Sequence, residues 1–365
     1  MVRSEKKHRI IFIDLIRALA VIQMVQGHTI DALLAPEYRS LDYPAYYVWN
    51  FMRGITAPVF MFSAGTVFTY LLRLVNEPFE NNPRVKKGFR RFIFLVVIGY
   101  LLRYPTYTVF DFSNVTQKNL DIFFSVDVLQ LIGFGLLFLL ISAFIAEKTK
   151  LSDTIVFLLI SLIFFIAAPF VTKINWIDYL PQPIAGYFYT GTGSLFPLFP
   201  WAGYVVFGGI LGSYLAKNPL VFKSNRFSFN LALYGAVLII ISEIALLITN
   251  KVFNYYYDNS SYNPDTIFFR LGFVLVLNSI VSFISQNIES IPKIIIIIGR
   301  NTLIIYVVHL IILYGSAWNP GLSVIFGSKL DVTPTIIIAI SMITLMVLMV
   351  FVFNKLKFKN KQLVT

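Results

Sequence analysis

Long uninterrupted apolar runs decide what this chain can become. Ten stretches, residues 10–34, 46–72, 89–109, 122–144, 154–171, 196–216, 227–248, 266–284, 294–317 and 335–353, meet or approach the length of a membrane-crossing helix. Such a helix needs roughly 20 apolar residues to cross about 30 Å of hydrocarbon. The short alternating strands of an outer-membrane barrel are absent from the sequence. Composition points the same way. Charged residues make up 13% of the 365, against about 25% in a soluble domain, and Leu, Ile, Val and 36 Phe replace them. The expected fold is all-α: a polytopic helical membrane bundle of about ten transmembrane helices, forming one domain over residues 1–365.

The net charge of +12 would suggest nucleic acid in a soluble protein, but its distribution argues otherwise. With the N-terminus inside, the cytoplasmic segments hold 20 Lys and Arg and the opposite segments hold 6. The inner set includes Arg3, Lys6, Lys7 and Arg9, six cations over residues 73–91, and four in the tail from Lys355. The positive-inside bias therefore puts both termini in the cytoplasm of a multi-pass protein of the cell (inner) membrane. All four Trp (Trp49, Trp176, Trp201, Trp318) then fall near the outer interface, where aromatic belts sit. The basic charge reads as topological, and no nucleic acid is expected.

The chain has no Cys, hence no disulfide, no thiolate metal site and no Cys nucleophile; no metal is expected. The basic-then-apolar start could mimic a signal peptide, but its apolar run is too long and Asp14 and Arg17 interrupt it, so it is expected to be retained. Two loops stand out: a basic inner one over residues 76–88, and an outer one over 172–195 rich in Gly, Pro and aromatic residues. The outer loop reads either as a lid over an acceptor site or as an interfacial anchor through Trp176 and Tyr179. Gly208 and Gly212 form a small-xxx-small pair suited to close helix packing.

Charges inside a membrane are expensive, at least ~2.5–3.5 kcal/mol each on insertion scales, so each is a functional candidate. The first helix carries Asp14, Arg17, His28 and Asp31. Eleven residues at 100° each bring Arg17 and His28 to within about 20° of one another. Asp14 and Asp31 lie about 60° to the side, so the four form one polar stripe. Arg53, Asp127, Gln130 and Arg270 lie near outer helix ends, and His309 in an outer half. Arg300 and Asn301 sit at the depth of Arg17. Two polar layers result, a cationic one low in the membrane and a mixed His/Asp/Arg one higher up. Structural roles compete for several of these groups: an Asp14–Arg17 ion pair, snorkelling of Arg53 and Arg270 to headgroups, or plain hydrogen-bonded packing for His309.

The pattern over residues 9–28, with Arg17, ten residues and then His28, resembles the opening of the transmembrane acyltransferase superfamily. In detail it looks like the heparan-α-glucosaminide N-acetyltransferase branch and its bacterial relatives, which are related in turn to the acyltransferase-3 family. Four further segments are similar to that branch: Arg53 through Pro58 to Gly65, Asp127-Val-Leu-Gln130, the Pro-rich 196–212 with Trp201, and Gly299 through Arg300, Asn301 and Tyr306 to His309. Ala18 stands where the family usually has Gly, and Gly27 where bacterial relatives often carry Asp.

The resemblance implies a membrane-bound O- or N-acyltransferase. It would move an acyl group, usually acetyl, from cytoplasmic acyl-CoA (acetyl-CoA) to a hydroxyl or amine of an outer-side acceptor such as a sugar or glycan. On that reading His28, Asp31 and Asp127 are the catalytic candidates, with His28 as base or acyl carrier. Arg17, Arg53, Arg270, Arg300 and Asn301 are the candidates for holding coenzyme A. Asp14, Gln130, Trp201, Tyr306 and His309 complete the polar cavity. The alternative is a transporter or flippase for an anionic or lipid-linked solute, with the same charges lining its path. Membrane lipids are expected partners, and the sequence leaves a homodimer open.

Overall fold

The computed structural model describes residues 10–108, 111–218, 220–253, 261–286, 288 and 291–362. The basic residues Arg3, Lys6, Lys7 and Arg9, on which part of the orientation argument rests, lie outside the described residues.

The apolar runs fold as helices: α1 (Ile11–Leu33), α2 (Pro44–Arg73), α3 (Pro83–Leu102), α4 (Gln117–Phe124), α5 (Val128–Thr149), α6 (Asp153–Val171), α7 (Gln182–Ala185), α8 (Leu198–Lys217), α9 (Asn225–Phe253), α10 (Pro264–Gln286), α11 (Lys293–Arg300) and α12 (Thr302–Tyr314). A two-residue ribbon, β1 (Gly315–Ser316) with β2 (Asn319–Pro320), then leads to α13 (Leu322–Phe326) and α14 (Val332–Gln362). Among the described residues, eight helical segments are long and apolar enough to cross a membrane, or nine if the bent pair α11–α12 is one span. The chain is thus an all-helical, multi-pass membrane bundle.

Three expected spans differ in detail. The run over 89–109 is helical from Pro83, because Pro83 occupies the first turn and the Asn82 side chain accepts from Arg84 N at 2.9 Å. Its first three turns therefore carry Arg84, Lys86, Lys87, Arg90 and Arg91, and it is not among the eight. Its distal face still exposes Phe94, Val97 and Leu101, as a lipid-facing side would. The run over 122–144 is two helices, broken where Asp127 caps α5. The run over 294–317 is bent by 73° between α11 and α12.

Close backbone approach organises the interior. At Gly208 and Gly212, α8 lies on α2 so closely that a Cβ would strike the carbonyls of Phe62 and Thr66, and Thr66 Oγ1 donates to Gly208 O at 3.0 Å. The small-xxx-small pair is a packing device, as expected. A second contact of this kind joins α9 to α10, where a Cβ on Gly235 would stand 2.7 Å from Gly272 O. Below, Arg73 of α2 grips Asp153 of α6 at 2.9 and 2.5 Å, and Ser213 of α8 donates to the same carboxylate at 2.6 Å. By contrast α9 and α14 turn apolar side chains such as Phe229, Leu247, Ile340 and Leu348 outward.

Candidate active site

The polar stripe of α1 faces α12, and the break at Asn301 brings them together. Asn301 N and Nδ2 both return to Ile297 O, so the polar groups freed by the bend are engaged locally. Gly299 sits against the backbone of Asp14, where a Cβ would stand 2.5 Å from the carbonyl oxygen. Thr302, the first residue of α12, then accepts from Arg17 Nη2 at 2.9 Å. Two turns further on, His309 stands beside His28, their ring centroids 5.5 Å apart.

A cavity of about 870 Å3, the outer one on the expected orientation, opens around His28. Tyr314 Oη lies 3.4 Å from His28 Nδ1. The buried His309 has Nδ1 2.8 Å from Ile305 O. A carbonyl only accepts, so Nδ1 carries the hydrogen of this contact. Among the described residues Nε2 is buried without a hydrogen-bond partner. Asp31 is ion-paired with Arg53 at the cavity wall. Asp127 accepts from Arg103 Nη2 at 2.7 Å and caps α5 in a capping box with Gln130. Arg103 also donates to Ser125. Arg103, one of the six cations assigned to the opposite side, is the counterion of Asp127.

A second, lower cavity of about 410 Å3 is lined by Arg17, Arg84, Lys87 and Arg91. Among the described residues no carboxylate lines it. Three of the cations that the sequence assigned to orientation alone therefore face the same hollow as Arg17. Phe60, Leu129 and Tyr306 line both cavities and form the partition between them.

The predicted coenzyme-binding residues do not stay together. Arg17 is in the lower cavity, while Arg53 and Arg270 line the outer one. Arg300 lines neither and is exposed, because the helix ends there and the chain turns away at Asn301. Asn301 and Asp14 also lie outside both linings. Trp201 is buried in the outer cavity rather than lying in an interfacial belt. Trp176 fits the anchor reading of the long outer loop, its Nε1 donating to Val171 O at 2.8 Å. Among the described residues no group of three or more His, Cys, Asp or Glu could hold a metal ion.

A bundle of membrane helices with two separate hollows, one of them opening on His28 beside His309, suits an enzyme embedded in a bilayer. The family model described as heparan-alpha-glucosaminide N-acetyltransferase, catalytic, matches residues 9–250, about two-thirds of the chain, and the chain belongs to that family. It is a membrane acetyltransferase by family. The match takes in Arg17, His28, Arg103, Asp127 and Trp201 and ends before Arg270, Tyr306 and His309. No curated protein matches this chain.

Proposed function

We propose that the protein transfers an acetyl group from acetyl-CoA, held in the lower cavity, to a hydroxyl or amine of a sugar-like acceptor in the outer cavity. The observation that carries this reading is the pair of cavities on one α1 stripe. The lower, around Arg17, is lined by cations and by no carboxylate among the described residues, and the outer, around His28, holds paired charges. Phosphates fit the first, because four cations with no carboxylate among them favour a polyanion and guanidinium groups bind phosphate oxygens bidentately. Eleven residues at 1.5 Å each separate Arg17 from His28 by about 17 Å, a span for the extended pantetheine arm. Arg84, Lys87 and Arg91 take the place of Arg300 in this donor site, and Arg53 and Arg270 belong to the acceptor side.

In the reaction, the acceptor oxygen or nitrogen attacks the thioester carbonyl carbon and the C–S bond breaks, releasing coenzyme A as its thiol. His28 takes the proton of the attacking group and returns it to the sulfur, or its imidazole carries the acetyl group between two such steps. His309 and Tyr314 hold the His28 ring in place. The chain acts as one domain in the inner membrane, with its termini and the donor cavity on the cytoplasmic side.

The direct test is purified protein incubated with radiolabelled acetyl-CoA and a panel of amino sugars and neutral sugars. Acetylated product from the wild type, absent with His28→Gln, supports the reading. Equal product from both, or thioester left untouched in every condition, rejects it.

A further inference from the structure

Gln130 follows Leu129 of the wall between the cavities and lies one turn along α5 from its cap, Asp127. Its side chain is fully buried, yet it lines the cavity that opens on His28. A backbone N–H only donates, so the 3.3 Å contact from Asp127 N turns the amide oxygen Oε1 toward the cap and the NH2 group away from it. Among the described residues Nε2 has no hydrogen-bond partner. Gly99 of α3 keeps the place clear for this amide. An added Cβ there would stand 2.4 Å from Oε1 and 2.9 Å from Nε2, and Gly99 lines the same cavity.

The cap by itself does not call for an amide. A capping box is closed by Glu as well as by Gln, because only an oxygen is needed. An N–H left unpaired inside a protein is costly, so a donor oriented by its own amide oxygen and then left free calls for an acceptor that arrives with the substrate. Two guanidinium groups of this cavity are already engaged, Arg53 by Asp31 and Arg103 by Asp127. A thioester entering past Leu129 brings a carbonyl oxygen, an acceptor that gains charge as the reaction proceeds.

We propose that Gln130 is a catalytic residue whose Nε2–H donates to the thioester carbonyl oxygen. When the acceptor atom bonds to the carbonyl carbon, one C=O electron pair moves onto that oxygen and the acceptor's proton goes to His28. Gln130 donates to the oxyanion so formed. As the C=O bond forms again the C–S bond breaks, and the sulfur takes the proton from His28. A donor already locked in place needs no rearrangement when the charge appears, which is why such groups are effective. This role rests on the acetyltransferase reading and deepens it by naming the group that holds the carbonyl.

The test uses the full chain in phosphatidylcholine nanodiscs and follows thiol release from acetyl-CoA with the sugar panel as acceptor. Gln130→Met keeps the length of the side chain and removes the amide. Gly99→Ala keeps every atom of Gln130 and displaces the amide, which is the movable end of a flexible side chain. Each should lower turnover by about 10²–10³-fold, the usual loss for one oxyanion donor, with coenzyme A affinity unchanged by calorimetry. Should Gln130→Met fail to fold, Gly99→Ala carries the comparison alone. The second readout is the dithioester analogue of acetyl-CoA, with sulfur in place of the carbonyl oxygen. Sulfur accepts hydrogen bonds weakly, so this exchange should slow the wild type at least tenfold more than it slows either variant. A purely structural role would slow both thioesters alike. Equal sensitivity to the exchange in wild type and variants, or near-normal turnover in a folded variant, overturns the assignment. A wild type that leaves acetyl-CoA intact overturns the acetyltransferase reading and this role with it.

Discussion

The two cavities hold similar numbers of charges and use them in opposite ways. Below, Arg17, Arg84, Lys87 and Arg91 face one hollow with no acid among them. Above, Arg53 and Arg103 are each fixed by an aspartate. A hollow lined by several cations attracts a polyanion whatever its shape, while groups locked in pairs hold a geometry. The first arrangement suits grip, and the second suits orientation around the two imidazoles. If that division is right, substitutions should separate binding from turnover according to the cavity they touch.

The largest expected effect is at His28. Acid–base catalysis by one positioned His is worth typically 10²–10⁴-fold, so His28→Gln should lower turnover at least 100-fold and leave coenzyme A affinity unchanged. A parallel loss of affinity, read by calorimetry with coenzyme A, would mean that the cavities do not act separately. His309→Ala should fall less far, since its ring backs His28 from 5.5 Å.

Next comes the grip. Removing one charge-assisted hydrogen bond costs about 1.5–3 kcal/mol, so Arg17→Ala should weaken coenzyme A binding roughly 10- to 150-fold. Lys at this position should restore only part, lacking the guanidinium fork. Arg91→Ala should shift affinity in the same direction, and Arg300→Ala should leave it alone. A normal affinity in a folded Arg17→Ala protein, or a deficit in Arg300→Ala, breaks the comparison.

Asp127 tests the upper pairs. Loss of an N-cap costs about 0.5–2 kcal/mol, and Asn caps nearly as well as Asp. Asp127→Ala should therefore lower thermal stability more than Asp127→Asn, while Asn exposes only the loss of charge opposite Arg103. Turnover in Asp127→Asn well above that of His28→Gln fits an orienting carboxylate. Turnover equally low would make Asp127 a reacting group.

The smallest effect lies at the rim. Tyr38 Oη donates to Asp331 Oδ1 at 3.0 Å, and this bond beside a carboxylate raises the phenol above its ordinary value near pH 10. The bond helps join the segment after α1 to the start of α14, where Ala35 N also donates to Leu330 O at 2.9 Å. A raised folded-state value means that the contribution is complete below pH ~10 and disappears as pH climbs through the higher value. The stability gap between wild type and Tyr38→Phe should be flat below that pH and close above it; a gap that widens there contradicts the assignment.

Much of the lower half of the problem was written along α1 itself. Helical periodicity alone aligned Arg17 with His28, and both face cavities. The Gly208–Gly212 packing was legible for the same reason, since it too depends on one helix surface. What escaped was everything made by two distant segments. Arg103 and Asp127 meet only because α3 and α5 pack together, and no spacing announces that. Arg84, Lys87 and Arg91 were hidden differently: cations that orient a membrane protein and cations that bind phosphate look alike in a sequence. The caps were hidden by hydropathy, because Phe123 and Phe124 merge with the run that follows until Asp127 is recognised as a start signal.

The partition of Phe60, Leu129 and Tyr306 has a consequence for the cell as well as for chemistry. A bilayer stores ion gradients only while nothing pierces it, and on the proposed orientation two hollows entering from opposite faces would leave a thin wall of insulation. Two apolar side chains and one phenol make up that wall. On the proposed reading a slender thioester arm passes between them, whereas an ion would have to shed its water to follow. Acetyl would then leave on the far side while coenzyme A never crosses, and the thickness of three side chains would separate such an enzyme from a leak.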